Sequence, residues 1–165
     1  MTYKKLFSQG CNYTDYIAEG SVAEQQAVNQ IEKQLALINL PEQTKSKLAQ
    51  LNKPIYLLVV GEMWCPDCQI NIAAINYLQS LNKNIELAII SKEQAEKSLV
   101  NVLAIEAIKI PLVIVLDGHY NKLGVFTERP VTVARHEDFK TIKPDYRAGH
   151  YLLDTIIEIS DKFPS

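Results

Sequence analysis

Ile55-Tyr56-Leu57-Leu58-Val59-Val60 is an uninterrupted apolar run that stops at Gly61. After only Glu62, Met63 and Trp64 comes the dithiol sequence Cys65-Pro66-Asp67-Cys68. A short apolar run closed by a glycine fits a strand covered on both faces. Beyond the cysteines, Ile70, Ala74, Tyr77 and Leu81 recur at helical spacing and predict one face of a helix. The two thiols therefore fall where a buried strand hands over to a helix.

The remaining pattern supplies neighbours for that unit. Ser21 and Glu24 have the spacing of a capping box, and Ala23, Ala27, Ile31, Leu35 and Ile38 mark a helix over residues 21–38. A second short helix is expected from Pro41, a residue favoured in a first turn, to about Leu51. Met1 to Gly20 shows no period. Downstream, Ile85 to Ile90 predicts another buried strand. Ser91 and Gln94 form a second capping box, opening a helix with Ala95, Leu99 and Val102 inward. Pro111 to Leu116 is a third buried strand, and the turn signal Asp117-Gly118 leads into Lys122 to Phe126 as the returning arm of a hairpin. Thr127 to Asp145, rich in charge and proline, is expected to be irregular. A last helix over residues 148–162 turns Leu152, Leu153, Ile156 and Ile157 inward, with Asp154 and Glu158 toward water.

Strand, helix and strand in succession imply a right-handed parallel crossover, and the hairpin adds antiparallel partners. The expected fold is α/β, a mixed central sheet flanked by helices on both faces. One domain is expected, with an N-terminal helical extension (residues 1–52) before the core (residues 53–165). A chain of 165 residues is long enough to bury such a core.

The position of the dithiol suits thiol chemistry. A thiol attacks a disulfide only as thiolate. In the first turn of a helix, free backbone N–H groups and the positive dipole end lower the thiol's pKa. The i, i+3 spacing brings Cys68 beneath Cys65, so Cys65 reads as the exposed nucleophile and Cys68 as the deeper resolving thiol. Pro66 fits an early helical position, which needs no N–H donor. Trp64 would shield the sulfur and wall a docking surface, or simply pack. Asp67 pulls two ways: it favours the helix start and disfavours a nearby thiolate.

Other classes fit less well. A structural zinc site needs about four ligands; the third cysteine, Cys11, is far up the chain, and His119, His136 and His150 lack paired spacing. No metal and no organic cofactor are expected. The net charge of −2, with no basic cluster longer than Lys4-Lys5, excludes a nucleic-acid footprint. No apolar run approaches the roughly 18 residues of a membrane span. The start lacks the apolar stretch of a secretory signal, which also argues against a lipoprotein reading of Cys11. Three cysteines are the wrong parity for a disulfide framework and suit a reducing compartment, so the cytoplasm is expected.

Trp64-Cys65-Pro66-Asp67-Cys68 on a strand-to-helix junction resembles the thioredoxin superfamily, and Ile110-Pro111 before the third strand looks like its cis-proline. Gly61-Glu62-Met63 and Gly124 to Pro130, ending Thr-Glu-Arg-Pro, resemble a bacterial thioredoxin-like subfamily with an N-terminal helical extension. The resemblance spans roughly Pro54 to Asp161. It implies that Pro111 faces the dithiol and that the backbone of Ile110 offers hydrogen bonds to a substrate strand. It also exposes a departure: Val59 stands where the family carries a buried aspartate that relays a proton for the resolving thiol, and the partner lysine is missing. Water, Glu62 or Asp67 would have to take that role.

Together these readings point to an enzyme, a thiol–disulfide oxidoreductase acting on a disulfide-containing protein or a low-molecular-weight thiol. It would be recharged by a reductase or thiol donor, with neither nucleic acid nor membrane as partner. The alternative is a redox-sensing or partner-binding module without turnover. Cys11 reads as an ordinary thiol, Arg129 and Arg147 as braces of the 127–147 segment, and Tyr3, Tyr13 and Tyr16 as packing residues.

Overall fold

The computed structural model describes residues 1–165. Its centre is a four-stranded sheet of β1 (Ile55–Val60), β2 (Ile85–Ile90), β3 (Leu112–Leu116) and β4 (Lys122–Thr127), in the order β2-β1-β3-β4. β1 runs parallel to β2, with Ile55 opposite Ile85, and antiparallel to β3, which pairs antiparallel with β4. Every residue of β3 is buried, and so is all of β1 except half-buried Tyr56. Both faces of the sheet are therefore covered, which explains why these strands read as continuous apolar runs rather than alternating ones.

The helix after β1, α5 (Pro66–Leu81), packs against β2 and against two further helices, α3 (Val22–Leu35) and α10 (Leu152–Ser160). Squeezed from several sides, it buries more than one stripe: Cys68, Ile70, Asn71, Ile72, Ala73, Ala74, Ile75 and Leu78. Two members of the expected face, Tyr77 and Leu81, lie at its margin, and Leu81 is 39% exposed. Each fully buried Ile or Leu contributes about 1.5–3 kcal/mol, so α5 is a main anchor of the core.

Residues 1–20 are more ordered than their lack of period suggests. They form α1 (Tyr3–Gln9), capped by Thr2, and α2 (Tyr13–Ala18), capped by Asn12. Helices of seven and six residues are too short to show a period, and packing holds them. Between them, Cys11 bridges to Ile89 at the free edge of β2 through N–H···O contacts of 2.9 and 2.8 Å. Gly10 permits that approach, since a Cβ there would lie 2.8 Å from the Cβ of Ala88. Phe7 of α1 packs on Tyr56, and Tyr56 stacks on Tyr120 with centroids 4.6 Å apart. Leu6, Tyr16, Val28, Ile31 and Leu35 of the N-terminal helices share one buried cluster with the sheet.

Both expected capping boxes form, at Ser21/Glu24 and at Ser91/Gln94. Pro41 caps α4 (Glu42–Gln50) rather than beginning it. The helix expected after Ser91 is broken into α6 (Lys92–Ser98) and α7 (Val100–Leu103), leaving Val102 50% exposed. The segment expected to be irregular holds α8 (Val131–Ala134) and α9 (Phe139–Arg147). Asp138 caps α9 through its side chain, and Pro144 is tolerated inside this short helix. Gly149, at φ 91°, breaks the chain before α10, which starts at Leu152 rather than at residue 148. Asp154 and Glu158 do not simply face water: they accept hydrogen bonds from Thr132 Oγ1 and the Val131 N–H, both at 2.6 Å, and so hold α8. No helix is long and apolar enough to cross a membrane.

Candidate active site

Cys65 occupies the N-cap of α5 in extended conformation, and Pro66 is the first helical residue. The sulfur thus sits where the helix presents its unpaired N–H groups. Cys68 is one turn deeper and has no exposure, and all three cysteines of the chain are free thiols. The Ile110–Pro111 peptide bond is cis, and Cys65 Sγ approaches the Ile110 carbonyl oxygen at 3.9 Å. Cys65 is less open than its expected role suggests, at 7% exposure. Trp64, expected as a shield, stands 60% exposed beside it.

The two thiols differ in acidity for physical reasons. A hydrogen bond from Cys68 lowers the Cys65 pKa to about 7, against burial, which raises it; the Asp67 charge also raises it. Burial pushes the Cys68 thiol far up, reinforced by its hydrogen bond to Cys65, while the Glu62 backbone N–H pulls the other way. At neutral pH this gives a half-ionised nucleophile over a neutral partner.

Asp67 belongs to a network that bridges α5, the loop after β4, α9 and α10. Arg129 donates to it from Nε at 3.1 Å and from Nη2 at 3.4 Å, and its guanidinium lies 3.9 Å over the Phe139 ring. The Tyr146 hydroxyl donates to Asp67 Oδ1 at 2.7 Å. Asn71, fully buried, donates to Tyr146 Oη at 2.9 Å and accepts from Thr155 Oγ1 at 2.7 Å. Of this set the sequence reading named only Asp67 and Arg129. Asn71 carried a usable signal, an amide one turn after Asp67 in an otherwise apolar stretch. Tyr146 and Thr155 carried none.

The other singled-out residues sit apart from the sulfurs or serve the backbone. The Glu62 carboxylate caps α6 by accepting the Lys92 N–H at 2.9 Å. Arg147 is exposed and makes no ion pair. His119 lies in the β3–β4 turn, where the Asp117 carboxylate accepts its N–H at 2.8 Å. No group of three or more His, Cys, Asp or Glu side chains is arranged to hold a metal ion.

A sequence model of the thioredoxin family matches residues 10–140. The chain belongs to the thioredoxin family. Two solved structures are similar over nearly its whole length, N-terminal helices included. One is a protein of unknown function from Pseudomonas aeruginosa, with 42% identity and a TM-score of 0.93, covering 98% of this chain and 96% of that one. The other is an HIV epitope-scaffold, with 41% identity and a TM-score of 0.92, covering 98% and 97%. No curated protein matches the chain. Within this thioredoxin fold Val59 is completely buried, so the strand beside the dithiol presents no acid.

Proposed function

We propose that this thioredoxin-family chain is a thiol–disulfide oxidoreductase of a bacterial cytoplasm, reducing disulfides of proteins or small thiols through Cys65 and Cys68. The observation that carries the reading is the Cys65 thiol at the start of α5, held to about pKa 7 and backed by a buried second thiol. The Cys65 thiolate attacks one sulfur of the substrate; a Cys65–substrate S–S bond forms, and the other half leaves as thiolate and takes up a proton. Cys68 then loses its proton and attacks Cys65 Sγ. The intramolecular S–S bond forms, the mixed disulfide breaks, and the second half leaves as thiol. Two electrons pass from the dithiol to the substrate, and a reductase or thiol donor returns them.

Trp64, exposed next to Cys65 in the chain, and the Ile110–Pro111 segment, whose Ile110 carbonyl lies 3.9 Å from the Cys65 sulfur, are assigned to substrate docking; Pro66 and Asp67 tune the helix start. Cys68→Ser should trap substrates on Cys65 as mixed disulfides released by dithiothreitol. A variant that traps nothing, together with a wild type that reduces neither insulin nor cystine, would refute catalysis. The low exposure of Cys65 favours a second reading, a redox-sensing module. Its signature is a partner bound only in one oxidation state, with no turnover.

A further inference from the structure

Tyr16 of α2 is 2% exposed, yet its hydroxyl has no hydrogen-bond partner. A buried hydroxyl left unpaired costs free energy, so its position calls for a reason. It lines a pocket of about 180 Å³ with Cys11, Glu19, Gly61 and Glu62. Gly61, which lines that pocket, also lies against the resolving thiol: a Cβ there would lie 3.4 Å from Cys68 Sγ. Burial raises the Tyr16 pKa most, and negative charge arising on Cys68 raises it further, so the phenol stays protonated within electrostatic reach of the sulfur.

We propose that the Tyr16 hydroxyl is a positioning group for the resolving thiol, donating a hydrogen bond through pocket water to Cys68 Sγ as negative charge develops there. The Cys68 proton leaves along the same water toward that pocket, which Glu19 and Glu62 line. A pocket of this size with several polar walls can hold water. The N-terminal helices thereby supply the polar function that β1, with Val59, lacks. The inference rests on the disulfide-exchange reading above and extends it to a residue outside the thioredoxin core.

The test uses the full chain with Cys11→Ser, reduced and mixed with 5,5′-dithiobis(2-nitrobenzoate). Attack by Cys65 releases a first thionitrobenzoate; attack by Cys68 on the resulting mixed disulfide releases a second. Tyr16→Phe, which removes only the hydroxyl, should leave the first release unchanged and slow the second roughly tenfold at neutral pH. A ring-fluorinated tyrosine at position 16, a stronger donor of nearly the same shape, should speed the second release. A second release unaffected by either change overturns the role of Tyr16, and so does an equal slowing of both releases. A wild type that lacks the releases altogether refutes the exchange reading and this inference with it.

Discussion

Arg129 and Asp67, 62 positions apart in the chain, form a two-point ion pair at the first turn of α5, with Nε–Oδ1 at 3.1 Å and Nη2–Oδ2 at 3.4 Å. The pair resolves the two-way pull of Asp67. Its carboxylate can sit in the helix's first turn, beside a thiol that must ionise, because a guanidinium offsets much of its charge. The Tyr146 hydroxyl, also on Oδ1, takes up another part.

Opposite effects on the nucleophile follow from breaking the pair from either side. Asp67→Asn removes a charge that raises the Cys65 pKa and leaves Arg129 uncompensated, so that pKa should fall below about 7. Arg129→Met leaves the carboxylate alone, and the Cys65 pKa should rise. Ultraviolet thiolate absorbance against pH measures both, and shifts of the same sign would contradict the account. Each variant should also lose about 1–3 kcal/mol of stability, since the pair is only partly exposed and its hydrogen-bonding partners are left behind.

The pH dependence has a definite sign. The folded Cys65 pKa, about 7, lies below the 9.0 of a free thiol, so its stabilising contribution is complete above 9 and lost as pH falls through 7. Iodoacetamide should therefore alkylate Cys65 with a half-maximal rate near pH 7. Cys68→Ala removes the largest lowering influence and should move that midpoint upward. An unmoved midpoint would show that the helix start alone sets the acidity.

Gly61 has no room for a side chain. A Cβ would meet the Cδ1 of Ile72, which is fully buried, and would press toward Cys68 Sγ. Gly61→Ala should cost about 1–3 kcal/mol through overpacking. Adding Ile72→Val removes the opposing methyl and should recover part of the loss. Denaturant unfolding of both variants checks this, and a double variant no more stable than the single one would place the clash elsewhere.

Local chemistry was legible where it is settled over a few residues. The runs at Ile55 and Ile85 form strands because both are covered on both faces over most of their length, which calls for apolar residues on each side; only half-buried Tyr56 and exposed Glu86 depart from that. Ser21 and Ser91 cap because the donors and acceptors of a capping box lie within one turn. Residues 127–145 misled, because proline and charge count against a helix on average, whereas Asp138 and the packing of Ile142 and Tyr146 build one over Phe139–Arg147.

The dithiol at a strand-to-helix junction follows from sequence alone, since i, i+3 spacing and a helix start are local geometry. Its surroundings do not. Arg129 reaches Asp67 from the loop after β4, Tyr146 and Thr155 come from two later helices, and Tyr16 arrives from the opposite end of the chain. Charge and hydrogen-bonding capacity act through space, and only the tertiary fold sets which distant side chains share that space with the sulfurs.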